Sequence, residues 1–226
     1  MHRATLFAIV LPAALFIASA QAHEHEKGGS ISHVNGGITA EAGETYGDLE
    51  TVNGGISVRK GAVADDVETV NGGITLDDDA QVRAASTVNG GLRAGERVRV
   101  ADGMETVNGG INVDFNSRIG GDIETVNGGI TIKQTEVGGQ VRTVSGDLTI
   151  GAKSLVRGGI VVEKPSGINF GRQRNPRIVI GPEATVQGTL RFERKVELFV
   201  HPTAKIGTVI GATAQTWTDK LPPRDD

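Results

Sequence analysis

The stretch ETVNGGI at Glu50–Ile56 returns almost unchanged at 68–74, 105–111 and 124–130. Aligned on its asparagine, the repeat places Asn35, Asn53, Asn71, Asn89, Asn108 and Asn127 in equivalent positions, with Ser145 seventh in TVSGDL. The steps are 18, 18, 18, 19, 19 and 18 residues. A fixed period of that size marks an architecture built by stacking one small unit many times.

One period, Thr51 to Glu68, reads TVNGGISVRKGAVADDVE and carries aliphatic residues at Val52, Ile56, Val58, Val63 and Val67. The pair Ile56/Val58 alternates as a strand with one buried face does, and no run has a helical period. Three polar gaps divide the period. Asn-Gly-Gly turns a corner by taking positive φ. Arg59–Ala62 is a second gap. A third recurs as the four-residue steps Val63–Val67, Ile119–Ile123 and Val137–Val141. The 19-residue turns are expected to absorb their extra residue as a bulge at a corner. A hairpin meander also uses Asn-Gly, but it needs two different strands per period rather than three breaks. The spacing therefore predicts an all-β chain coiled as a single-stranded parallel β-helix. It has three sides, about 18 residues per coil and about ten coils, a rod near 50 Å long at one strand spacing per coil.

Stacking sets like residue on like residue. The six asparagines are expected to form a side-chain ladder. Thr51, Thr69, Thr87, Thr106, Thr125 and Thr143 form a second column, which either presents hydroxyls to ice or a carbohydrate or simply fills a strand with β-branched residues. Glu50, Glu68, Glu105 and Glu124 flank it and need solvent or a counter-charge.

The chain opens MHRATLFAIVLPAALFIASAQA, which has a basic start, a short apolar run and a small-x-small end at Ala20-Gln21-Ala22. Residues 1–22 are read as a secretory signal peptide, with a flexible leader over 23–32. The expected location is the periplasm or the cell exterior, with no integral membrane segment after signal removal. There is no cysteine, so disulfides contribute nothing. After cleavage 22 basic and 27 acidic residues remain, an acidic balance that argues against nucleic acid as a partner.

The regular coils fill 33–150. Beyond them Val156–Ile160, Val186–Leu190 and Ile206–Ile210 keep the same step, so irregular coils are expected over 151–212. EKPSGINFGRQRNPR (163–177) reads as a loop leaving the stack, and 213–226 as a disordered tail. The steps VSGDL (144–148), VQGTL (186–190) and IVIGPEATVQGTL (178–190) resemble those of a bacterial adhesin-like family of unknown function and are similar to the polymer-forming bactofilins. The resemblance spans about 30–212 and implies a right-handed parallel β-helix with no catalytic residues to carry over.

Chemistry is sparse. Asp77-Asp78-Asp79 has the oxygen ligands calcium uses but reads as a solvated acidic corner. Cleavage after Ala22 would leave His23 and His25 beside a free amine, a candidate Cu(II) or Ni(II) site. Arg172, Arg174 and Arg177 form a basic loop suited to acidic glycans or lipid headgroups. No cofactor is expected. The resulting expectation is a non-enzymatic adhesive or structural element of the cell envelope, with envelope or surface polysaccharide as partner. The alternatives are a homo-oligomer assembled through the helix ends and a carbohydrate-active enzyme.

Overall fold

The computed structural model describes residues 28–165 and 174–218. The signal segment 1–22, His23, His25 and Arg172 lie outside the described residues. The described chain is an all-β parallel solenoid of about nine turns. Along one column Ile31 lies on Leu49, and then Val67, Ala85, Met104, Ile123, Val141, Ile160, Leu190 and Val209 follow in register. These ten positions mark nine spacings, about 43 Å of axis. That is one turn fewer than the count of repeats predicts.

Each full turn contributes strands to three columns. The first runs from Ile31–Asn35 through Met104–Asn108 to Val209–Ile210. The second is a ten-stranded sheet from Ile38–Ala40 to Ala214–Thr216. The third runs from Arg99–Val100 to Lys205–Ile206. The nine-residue strands Val63–Asn71 and Gln81–Asn89 pass unbroken from the third column into the first. Between Val82 and Ala85 three steps suffice, whereas Val100 to Met104, paired with them, takes four. The extra residue of that longer turn sits at this corner.

The core is a set of aliphatic stacks. Ile38, Ile56, Ile74, Leu92, Ile111, Ile130, Leu148, Ile178 and Leu198 overlie one another and are all buried. Burying each such side chain stabilises by about 1.5–3 kcal/mol before the entropy of ordering is subtracted. In the first column, however, alternation runs opposite to the aliphatic reading. Leu49 and Thr51 point inward, while Val52 is half-exposed and faces out, as do Val70 and Val126. Val63 also faces out between buried Ala62 and Ala64.

The glycines of the repeat are needed for a different reason from the one their turn propensity implies. Gly36 has φ +115°, but Gly54, Gly72, Gly90, Gly109 and Gly128 lie outside the left-handed region. A Cβ on any of these five would overlap the carbonyl oxygen of the equivalent glycine one turn back. They are glycines because backbone lies on backbone. The left-handed corner is elsewhere, one residue per turn: Gly43, Gly61, Asp79, Arg97, Asn116, Gln134, Lys153 and Glu183, with φ between 45° and 72°. Six of the eight are not glycine, each at a cost on the order of 1 kcal/mol.

Order extends past residue 213. Ala214–Thr216 pairs with Leu198–Val200, and Trp217 is 8% exposed with its ring edge-on to His201. The polar composition that suggests a loose tail from 213 overlooks this aromatic anchor.

Candidate functional site

The asparagine column is a continuous ladder. Each Nδ2 donates to the Oδ1 of the preceding asparagine: Asn53 to Asn35, Asn71 to Asn53, Asn89 to Asn71, Asn108 to Asn89 and Asn127 to Asn108, all at 2.9–3.0 Å. It lies exposed at the corner. Each step spends one N–H and one acceptor lone pair on its neighbours, so the ladder holds the corner together.

The threonine column faces the interior and is unavailable to ice or to a glycan. Thr51, Thr69, Thr87, Thr106, Thr125 and Thr143 are at most 4% exposed. Five of them donate Oγ1 to a glycine carbonyl of the preceding turn, from Thr51 to Gly36 through Thr125 to Gly109, at 2.8–2.9 Å. Among the described residues Thr143 Oγ1 has no partner. At the other five positions a buried hydroxyl is tolerated because the preceding turn supplies an acceptor at the same place.

The outer face of this column carries the glutamates. Glu50 lies on Glu68, and Glu105 on Glu124, with Ser86 between the pairs and Arg142 beyond them. Burial, reinforced by Asp48 and Asp66, raises the Glu50 carboxyl. Burial also raises Glu68, again with Asp66. Glu124 is pushed up to about 7, because burial outweighs the Arg142 guanidinium 2.9 Å away and Glu105 and Asp122 add repulsion. The column is crowded rather than freely solvated.

The described part of the basic loop is already engaged. Arg174 donates to Asp147 Oδ2 at 2.6 Å, and the Arg177 backbone N–H donates to Asp147 Oδ1 at 2.8 Å. The Arg177 guanidinium lies over the Phe199 ring, 4.9 Å from its centre. These two arginines fasten the returning chain to the stack. The acidic triplet is also divided: Asp77 faces Arg59, Asp78 accepts the Glu96 backbone N–H, and Asp79 is bound by Arg97. Among the described residues no three His, Asp or Glu side chains gather as metal ligands.

The concave feature is one that no motif announces. A groove of about 870 Å³ runs parallel to the axis, where the left-handed corner meets the outer face of the third column. Corner side chains from Asp79 to Lys153 form one wall. Its floor is the register Gln81, Arg99, Arg118, Glu136 and Leu155, one residue per turn. Behind the floor, Ser117 and Thr135 are buried and bonded to backbone carbonyls, which holds the level spacing. The lining carries Arg97, Arg99, Arg118 and Lys153 against Asp79 and Glu136, a net positive strip on a chain of net charge −4.

Both groove carboxylates are held ionised. Hydrogen bonds from Arg97 lower Asp79, and those from Arg157 lower Glu136. This is the reverse of what a general acid for glycoside cleavage requires. Arg118 also approaches Glu136, at 3.5 Å, so two guanidiniums share one carboxylate. Among the described residues the Arg99 side chain makes no ion pair or hydrogen bond. The sequence does contain a signal for this strip: Arg99 and Arg118 stand 19 apart, one turn, each just before a buried aliphatic residue. Reading it requires tabulating an outward position that has no repeated motif.

No helix among the described residues is long and apolar enough to cross a membrane. No protein-family model, curated protein or solved structure matches the chain. The likeness to the adhesin-like family and the bactofilins therefore rests on the turn motifs alone.

Proposed function

We propose that this chain is an exported, non-enzymatic solenoid of the adhesin-like, bactofilin-like kind. On this reading it is an adhesive or structural element of the cell envelope and holds polymeric partners through weak contacts repeated along its axis. The observation that carries the reading is the in-register stacking of polar side chains at one level per turn, above all along the groove floor. A rigid ladder of weak sites converts each further contact with a polymer into an intramolecular event, so affinity grows without any strong single site. The lowered groove carboxylates support binding over hydrolysis. The signal-peptide pattern of residues 1–22 supports export to the periplasm or the exterior. Fractionation of cells with mass determination of the mature terminus, followed by pull-down on peptidoglycan and capsule, tests it. Export and retention on one polymer are expected. A cytosolic, uncleaved protein that binds neither polymer would overturn it.

A second reading, end-to-end self-assembly, is favoured by the terminal strands. Among the described residues Ile31–Asn35 pairs only with Leu49–Asn53, and Ile210 at the other end is 51% exposed. Open strand edges are templates for a further strand. Light scattering over a range of concentrations separates a growing polymer from a monomer.

A further inference from the structure

We infer that the axial groove seats a linear acidic polysaccharide bearing a carboxylate on each sugar, gripped chiefly by Arg99 and Arg118. This rests on the polymer-binding reading above and gives it a site and a ligand class.

Three observations and the chemistry of the guanidinium converge on it. Arg99 lies directly on Arg118 in parallel register, a like-charge pair that costs stability unless an anion sits across it. Apart from the shared Glu136, no carboxylate among the described residues answers that pair. Arg59, Arg83, Arg97, Arg142, Arg157, Arg174 and Arg191 each face at least one acidic side chain, whereas among the described residues Arg93 and Arg99 do not, and of these two only Arg99 lies on a second arginine. The guanidinium fork matches a carboxylate in two parallel hydrogen bonds, which a solvated lysine point charge does not.

The shape selects a chain rather than a small anion. From Asp79 to Lys153 the wall covers five levels, about 19 Å of axis. An extended glycan advances by close to one strand spacing per sugar, so successive sugars meet successive floor residues. Gln81 and the amides of Asn116 and Gln134 on the wall are suited to sugar hydroxyls. Gln134 Nε2 already donates to Asn116 Oδ1 at 3.0 Å, which leaves the Gln134 carbonyl oxygen to accept. Leu155 gives an apolar patch for a ring face at one end. A nucleic acid or a membrane surface would instead need the wider basic field that this acidic chain lacks.

The test is titration of the full mature chain with polygalacturonate at physiological ionic strength. The Arg99→Ser/Arg118→Ser double variant is compared with Arg93→Ser, an outward arginine of another column. Matching circular dichroism and a cooperative melt no lower than that of the wild type establish that the variants fold. Polygalacturonate should bind the wild type, and the double variant should lose about tenfold or more while Arg93→Ser is unchanged. Affinity should rise with oligomer length to about five sugars and then level, one per strand level. A neutral glycan of equal length and polyglutamate should both bind weakly. Equal binding by the double variant, or polyglutamate binding as tightly as the glycan, overturns the assignment. A wild type that captures peptidoglycan but ignores the polyuronate overturns this inference and leaves the broader function standing. A wild type that binds no polymer overturns both.

Discussion

Thr87 Oγ1 donates a hydrogen bond to the Gly72 carbonyl oxygen, one turn away along the axis, at 2.8 Å. Thr143 occupies the same inward position three turns later, and its hydroxyl has no acceptor among the described residues. The same substitution should therefore act oppositely at the two places. Thr87→Val removes the donor from the part-buried Gly72 carbonyl and should cost about 1–2 kcal/mol. Thr143→Val removes an unpaired buried hydroxyl and should be neutral or stabilise by about 0.5–1 kcal/mol. Urea denaturation of the two variants reads the contrast, and equal losses would refute the hydroxyl account.

Gly90 and Gly91 are adjacent but differ in what lies above and below them. A methyl on Gly90 overlaps the Gly72 carbonyl oxygen, whereas one on Gly91 sits 3.2 Å from the Gly110 oxygen. Gly90→Ala should destabilise by about 4 kcal/mol or more, in the exceptional range for a point change, and Gly91→Ala by about 1. The chain already contains the milder case: Asp147 fills the second position while Gly146 keeps the first. Thermal melts of both variants check the ordering.

Acidification should strengthen the fold through Glu124. Its folded pKa of about 7 lies above the ordinary value of 4.5, so the folded state holds more protons between those limits. Stability attached to this group is complete below pH 4.5 and declines as pH rises through 7, with a loss on the order of 2–3 kcal/mol. Burial raises Glu50 and Glu68 in the same direction. Glu124→Gln should flatten the profile, raising the melting temperature at pH 8 and changing it little at pH 5. A steeper profile in the variant would contradict the assignment.

At the left-handed corner Lys153 holds φ 58°, a conformation that glycine adopts without strain. Lys153→Gly should stabilise by about 0.5–1 kcal/mol, and Gly61→Ala, at φ 67°, should destabilise by about 1. Differential scanning calorimetry of the pair gives both signs.

How far the sequence reveals this molecule depends on whether a property is local or arises from stacking. The strand at Ile56–Val58, the corner at Asn53 and the asparagine ladder follow from spacing alone, because identical residues a turn apart must meet. Thr51 and Val52 are nearly the same size, and both are β-branched. The buried Thr51 hydroxyl is satisfied by the Gly36 carbonyl, which arrives only when turns stack. The role of Gly54 is hidden in the same way, since its overlap lies with another turn. Arg174 reads as a free cation until Asp147, far away in sequence, is brought beside it, and Arg177 until its guanidinium is set over Phe199. The groove is the extreme case. Its floor residues Gln81, Arg99, Arg118, Glu136 and Leu155 share only a position, so no motif betrays them.

Val162 pairs with Phe192 although 30 residues separate them, where the turns on either side in this column take 19. Closure, not chain length, assigns each side chain to its storey. A tandem duplication or deletion of one whole unit would lengthen or shorten the shaft by a storey and leave every remaining interior neighbour of the same kind. Such a protein evolves its reach by copying segments of DNA, and it changes what it touches by altering individual outward residues.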